Sequence, residues 1–169
     1  MERQRSWNLC DDHLPSQREV MMADAMDVLI VEDEMLLAMD IEAMVEDSGH
    51  HVLAEAASLR EVEELPSDIE PQLAFVDLHL AQGSNGIDVC HLIQRRWPEA
   101  LIVFVTANVS KIPEDFAGGH GVIAKPFSHA GVVNAIRYLA EGVFDPPPSV
   151  PRPSSLVTSP HLKRRWTSR

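Results

Sequence analysis

Cysteine is nearly absent: the 169 residues hold only Cys10 and Cys90. That excludes a disulfide framework and any CxxC motif, and predicts a reducing compartment. Long apolar runs are missing too. The stretch Leu101–Val105 is five residues, far short of the roughly 20 that a membrane helix needs. The charges at Glu2, Arg3 and Arg5 precede no apolar signal core. Basic residues are scarce, 14 Lys+Arg against 26 Asp+Glu, for a net charge of −12. This argues against direct DNA binding or attachment to anionic membranes by the body of the protein. Neither GxGxxG nor GxxxxGK[ST] occurs, so the common nucleotide loops are excluded. These absences together predict a soluble, cytoplasmic protein.

The charge deficit is uneven. Residues 26–144 carry 20 Asp+Glu and 6 Lys+Arg, whereas residues 145–169 carry one Asp and five Lys+Arg. The acidic part alternates strand and helix patterns. Strand-like stretches are Val28–Val31, His51–Ala56, Leu73–Val76, Leu101–Val105 and Val122–Ala124. After the first, Leu37, Ile41, Met44 and Val45 share one helical face, and Gly49 supplies a stop. Ser58 caps a short second helix, Ile87–Trp97 forms a third that Pro98 ends, and Ser128 opens a last one ending at Gly142. Strands alternating with helices imply right-handed crossovers and a parallel sheet, hence a three-layer α/β/α sandwich. Between strands four and five, Pro113 and Gly118-Gly119 allow at most a short helix.

The ends read differently. Residues 1–25 lack sustained periodicity and are expected to be a flexible extension. Residues 143–169, with "DPPPSVPRPSSLVTSP" and a small basic cluster, are expected to be a disordered tail. On this reading, deleting residues 1–21 and 146–169 leaves folding unchanged.

The chemistry gathers at the strand ends. A continuous apolar run, Leu73–Val76, runs straight into Asp77, a carboxylate that is costly to bury unpaired. Strand one runs into Glu32-Asp33-Glu34, strand four into Thr106, and strand five into Lys125-Pro126. In a doubly wound sheet these ends share one edge, where ligands bind beside the switch in strand order. Three acids there call for a cation. Mg²⁺, a hard ion with oxygen ligands and waters, suits Glu32, Asp33 and Asp77. A shielded carboxylate can attack phosphorus and form an acyl phosphate. Thr106 and Lys125 then offer a donor and a point charge to the phosphoryl oxygens. Glu34 reads as a first-turn acid favoured by the helix dipole.

Four blocks, "VLIVEDE", "LAFVDLHL", "FVTA" and "AKPFS", resemble in this order the signatures of the response-regulator receiver domain (CheY-like) over about residues 26–142. The resemblance implies the flavodoxin-like five-stranded order 2-1-3-4-5. It implies Asp77 as phosphoacceptor, Glu32 and Asp33 as the Mg²⁺-holding pair, the His79 backbone carbonyl as a further metal ligand, and Thr106 and Lys125 as the phosphate-contacting pair. It implies a sensor histidine kinase or phosphotransfer protein as donor and a partner protein as output. The protein would catalyse only its own phosphorylation and dephosphorylation.

Departures accompany the match. The loop after Asp77 lacks the family's proline, and its glycine, Gly86, comes one residue late. Val122 stands three residues before the lysine, where a switch aromatic is usual. The chain resembles stand-alone single-domain receivers with a reduced fourth helix. Without a ring at 122, the segment 107–120 is expected to be mobile when unphosphorylated and to tighten on phosphorylation. Other readings compete. A phosphohydrolase of the haloacid-dehalogenase pattern would want an acid where His79 stands. A phosphate sink draining a shared kinase, or a phosphorylation-independent interaction module, would share the fold. The remaining histidines show no ligand spacing, and Cys90 reads as a small buried apolar group.

Overall fold

The computed structural model describes residues 25–167, so the expected N-terminal extension lies, up to residue 24, outside the described residues. Three strands form the centre: β1 (Asp27–Val31), β3 (Leu73–Val76) and β4 (Leu101–Thr106). Nearly every position in them is buried, as the unbroken apolar runs require of strands covered on both faces. Alternate residues split between two cores. Val28, Ile30, Phe75, Val103 and Val105 pack on one side of the sheet with the helices α1 (Met35–Asp47) and α4 (His129–Phe144). Leu29, Val31, Ala74, Val76, Ile102 and Phe104 pack on the other with α2 (Leu59–Glu64) and α3 (Gly86–Arg96).

The helix boundaries follow local chemistry. Gly49, at φ 81°, takes the left-handed conformation that ends α1. The Ser58 and Ser128 hydroxyls accept from the backbone N–H of Glu61 (3.3 Å) and Gly131 (3.1 Å), capping α2 and α4. Asn85 caps α3 by accepting from Ile87 N–H at 2.9 Å. Helix α4 runs two residues past Gly142, to Phe144.

With β2 (His51–Ala56) and β5 (Gly121–Ala124), the parallel strands lie in the order β2-β1-β3-β4-β5. The chain moves from β1 to β2 on one side and then to β3 on the other. The switch point therefore falls between the carboxyl ends of β1 and β3. The crossover from β4 to β5 carries only two 3₁₀ turns, Val109–Lys111 and Phe116–Gly118. Phe116 and Ala117 there hold positive φ (55° and 48°). Such non-glycine residues cost about 1–3 kcal/mol each, and the Gln94 side chain, donating to Ala117 O at 2.9 Å, offsets part of it.

The C-terminal expectation is corrected. The segment is ordered: β6 (Leu156–Thr158) adds antiparallel to β5 as a sixth strand, and α5 (Pro160–Thr167) packs behind it. The physical reason is three apolar anchors in a polar stretch. Leu156 and Leu162 are fully buried and Trp166 is nearly so. The Trp166 ring lies against Gly142, where a Cβ would fall 2.1 Å from its Cζ2, and meets Tyr138 edge-on at 5.3 Å. Glu141 ties down the proline-rich connection by accepting from the N–H of Ser149 (2.9 Å) and of Val150 (3.1 Å). Removing residues 146–169 would therefore expose core. Trp166→Ala is expected to lower the unfolding free energy by about 3–5 kcal/mol in urea titration, and an unchanged midpoint would make the segment an ornament.

His120 sits where this extension meets the sheet. Its Nδ1 accepts from Ile102 N–H at 3.0 Å, and its carbonyl accepts from Ser159 N–H at 2.9 Å. Burial pulls its pKa down to about 4, helped by Arg165 and His161. In the window between about 4 and the ordinary 6.5 the unfolded chain binds a proton that the native state refuses, so stability falls as pH drops. Between pH 7 and 5 the loss is roughly 1–2 kcal/mol. Urea titrations at both pH values should show it in the native protein and a flatter response in His120→Gln; parallel responses would refute it.

Candidate functional site

The switch point holds a buried charge cluster. Glu32 follows β1 and Asp77 follows β3, and both carboxylates are buried, at 5% and 7% exposure. Main-chain pairing fixes each: Glu32 N–H donates to Ala56 O, and Asp77 N–H donates to Val31 O, both at 2.9 Å. Between them stands Lys125 at the end of β5. Its Nζ lies 2.7 Å from Glu32 Oε2 and 2.7 Å from Asp77 Oδ2. This answers how β3 can end on a carboxylate: the two buried acids share one half-buried cation.

The electrostatics follow from that sharing. Burial raises the Glu32 pKa, and hydrogen bonds from Lys125 and from Glu34 N–H oppose it. For Lys125 burial acts downward, but the bonds to Asp77 and Glu32 outweigh it and leave its pKa raised. Burial works against charge on both partners; it prevails at Glu32, whereas the hydrogen bonds prevail at Lys125. The geometry favours a charged lysine, because two carboxylate oxygens sit at hydrogen-bond distance from one ammonium.

Asp33 is exposed, yet its carboxylate, with those of Glu32 and Asp77, places one oxygen each within 4.8 Å of the others. Lys125 engages one oxygen of Glu32 and one of Asp77. The second oxygens each accept one backbone N–H, from Glu34 (3.1 Å) and His79 (3.3 Å), and keep a lone pair; with Asp33 they make a donor set that fits a hard divalent cation. Thr106 is fully buried, two residues past Phe104, the partner of Val76 in the β3–β4 register. Its hydroxyl accepts from Asn108 N–H at 3.1 Å, and its carbonyl accepts from Lys125 N–H at 2.9 Å. His79 N–H reaches Asp77 Oδ1 at 3.3 Å, so the main chain after the acid runs alongside it. The structure thus brings Glu32, Asp33, Asp77 and Lys125 into one cluster and sets Thr106 and His79 on its flanks.

Sequence reasoning missed two residues. Gly86 was read only as a late loop glycine, but a Cβ there would lie 2.1 Å from the Asp77 carbonyl oxygen. The start of α3 is pressed against the main chain of the acid, and the Asn85-Gly86 pair was the available signal. Lys111, in the crossover, reaches His79: its Nζ lies 3.2 Å from His79 Nε2. Those two side chains border an open cleft of ≈ 470 Å³ beside the Asp77 loop, with Ser84 and Asn85 also lining it. Cys90 is buried, and its thiol is pushed up to about 12 by burial, which makes it inert at neutral pH. No helix among the described residues is long and apolar enough to cross a membrane.

A parallel sheet in this order with acids at its switch point is a flavodoxin-like architecture with an acidic edge, and the comparisons say which family uses it here. The response regulator receiver domain family matches residues 28–137. The chain belongs to this family and is a receiver domain of the two-component type. It is 38% identical over 121 residues to the phyllosphere-induced regulator PhyR of Methylorubrum extorquens, covering 68% of this chain and 43% of that protein. It is 31% identical over 146 residues to the photosynthetic apparatus regulatory protein RegA of Cereibacter sphaeroides, covering 84% and 77%. The solution structure of the Erythrobacter litoralis PhyR receiver domain matches with a TM-score of 0.63 at 29% identity, covering 76% of this chain and 98% of that one. The chain thus spans less than half the length of its PhyR relative. Receiver domains bind Mg²⁺ at an acidic pocket, and the Glu32–Asp33–Asp77 cluster has the make-up of one.

Gly86→Ala should force the Asp77 main chain aside, lowering the unfolding free energy by about 1–3 kcal/mol. Chemical denaturation of the variant measures this directly. Full stability would mean that the loop relaxes freely and that Gly86 does not position Asp77.

Proposed function

We propose that the chain is a phosphorelay response regulator in which Asp77 accepts a phosphoryl group from a histidine kinase or phosphotransfer protein. The observation that carries this reading is the single Lys125 ammonium held between Glu32 and Asp77 at 2.7 Å each. A carboxylate oxygen of Asp77 attacks phosphorus, the bond to the donor's imidazole nitrogen breaks, and an acyl phosphate forms. Lys125 can exchange the Asp77 carboxylate for a phosphoryl oxygen while keeping Glu32, so its charge never lacks a partner. The Thr106 hydroxyl accepts from Asn108 N–H and keeps its own proton to donate to the phosphoryl group. Glu32, Asp33, Asp77 and the His79 carbonyl would hold Mg²⁺, which when bound offsets negative charge on the carboxylates and on the transferring group.

On this reading the protein catalyses only the gain and loss of its own phosphoryl group, and a partner protein reads the result. Support for a protein reader is the body's charge, 20 acidic against 6 basic residues over 26–144, which suits neither DNA nor an anionic membrane. Incubation with Mg²⁺ and a small phosphodonor should give one phosphoryl adduct by intact-mass spectrometry, and Asp77→Asn should give none. Equal labelling of the variant would sink the assignment.

A further inference from the structure

We propose that Lys111 is a second cation for the phosphorylated acceptor and that its movement carries the signal into the β4–β5 crossover. The inference rests on the reading of Asp77 as phosphoacceptor and assigns a route by which that site regulates the surface.

The argument starts from what Lys111 touches. Arg60, Lys125 and Arg137 each meet a carboxylate. Lys111 meets an imidazole nitrogen, His79 Nε2 at 3.2 Å, and among the described residues no carboxylate within ion-pair distance. This contact is also the side-chain bond that joins the crossover to the Asp77 loop among the described residues. Both side chains are exposed, so the bond contributes little to stability and breaks readily. His79 is two residues beyond Asp77, and its own N–H already reaches the Asp77 carboxylate at 3.3 Å. An unpaired ammonium is therefore parked beside the phosphoacceptor loop on a flexible four-carbon stem.

Phosphorylation changes the choice open to that ammonium. It replaces the single charge of the Asp77 carboxylate by about two on the phosphoryl group, a net gain of roughly one, and brings three strong acceptor oxygens. A bond from an ammonium to an anionic oxygen adds the attraction of opposite charges, which a neutral imidazole nitrogen does not offer. Lys125 is already shared between Glu32 and Asp77, so the added charge and the new acceptor oxygens leave room for a second ammonium, and Lys111 supplies it.

The crossover is built to move when it is pulled. Lys111 ends the 3₁₀ turn that starts at Val109. The next turn holds Phe116 and Ala117 at positive φ; it is closed by short 3₁₀ bonds, Gly118 N–H to Asp115 O at 3.1 Å and Gly119 N–H to Phe116 O at 2.7 Å, and tied to α3 by the Gln94–Ala117 bond. Behind it, Val122 is buried and carries no ring to rotate inward, so a coupled aromatic switch is not available. Val109 lines a cleft of ≈ 570 Å³ together with Val122, Phe127 and Val157. A shift of the Val109–Lys111 turn toward the acid therefore reshapes the cleft between the crossover, the start of α4 and β6.

The test is hydrogen exchange by mass spectrometry on the full chain, apo and with Mg²⁺ plus saturating beryllofluoride, for the native protein, Lys111→Ala and Lys111→Arg. The native protein should gain about tenfold protection across 107–120, the scale of one charge-assisted hydrogen bond. Lys111→Ala should lose that gain while peptides around Asp77 still become protected, and Lys111→Arg should restore most of it. If Lys111→Ala keeps the native gain, or if the native crossover stays unchanged while Asp77 is protected, the relay through Lys111 is wrong and the phosphoacceptor reading stands. If no peptide responds in the native protein, the phosphoacceptor reading itself fails and takes this inference with it.

Discussion

The structure depends on one half-buried ammonium. Glu32 and Asp77 terminate adjacent strands, and the sheet forces their carboxylates together at its switch point. Two buried like charges would destabilise the centre of the molecule by repulsion and by lost hydration. Lys125 arrives from the far side of the sheet, 48 residues after Asp77 and 93 after Glu32, and binds both at 2.7 Å. The pairing thus needs β1, β3, β4 and β5 in register before it exists. Removing one partner would leave the others buried and uncompensated. The same arrangement leaves Lys125 able to give up one acid and keep the other, since each is held by a separate hydrogen bond.

A second constraint acts on the opposite end of the sheet. The β5 edge would be an exposed row of N–H and C=O groups. Residues Leu156–Thr158 pair with Gly121–Ile123 and close that edge within the same chain. Gly121 lets β6 approach: a Cβ there would lie 3.1 Å from Val157 O. Charge helps the extension dock. It carries five of the chain's 14 basic residues, and Arg165 reaches Glu99 Oε2 at 3.0 Å. That ion pair is mostly exposed on the Glu99 side and adds little; burial of Leu156, Leu162 and Trp166 supplies the energy.

How legible was this in the sequence? The five parallel strands were, because unbroken apolar runs such as Leu73–Val76 leave few alternatives to a doubly covered strand. The acids and Lys125 were legible because each stands immediately after such a run, where topology must bring it to one edge. The order 2-1-3-4-5 came only through family resemblance, since periodicity says which residues are buried but not which strands are neighbours. The C-terminal extension was misread because its anchors are sparse. Prolines and serines dominate the composition of 145–160, and a composition argument averages away Leu156. Yet Leu162 and Trp166 are four residues apart, one helical turn, and that spacing pointed to a helix with one buried face. Gly86 and Lys111 escaped for a different reason. Each matters through a contact made across space, with the Asp77 main chain and with His79, and no local pattern records it.

Closure of the β5 edge also limits where this receiver can present a change of state. With Gly121–Ile123 hydrogen-bonded on both sides, the backbone of β5 cannot take a strand from elsewhere without first losing β6. Helix α5 fixes β6 in turn, through Trp166 against Gly142. Movement behind that edge would disturb buried aromatic packing, which is stiff because interiors are close-packed. The crossover has no such restraint: most of 107–115 is exposed, its turns are short, and its backbone holds two residues in a conformation they disfavour. The fold therefore combines a sheet whose β5 edge is covered by its own chain with one exposed, short-turned crossover beside the acidic edge.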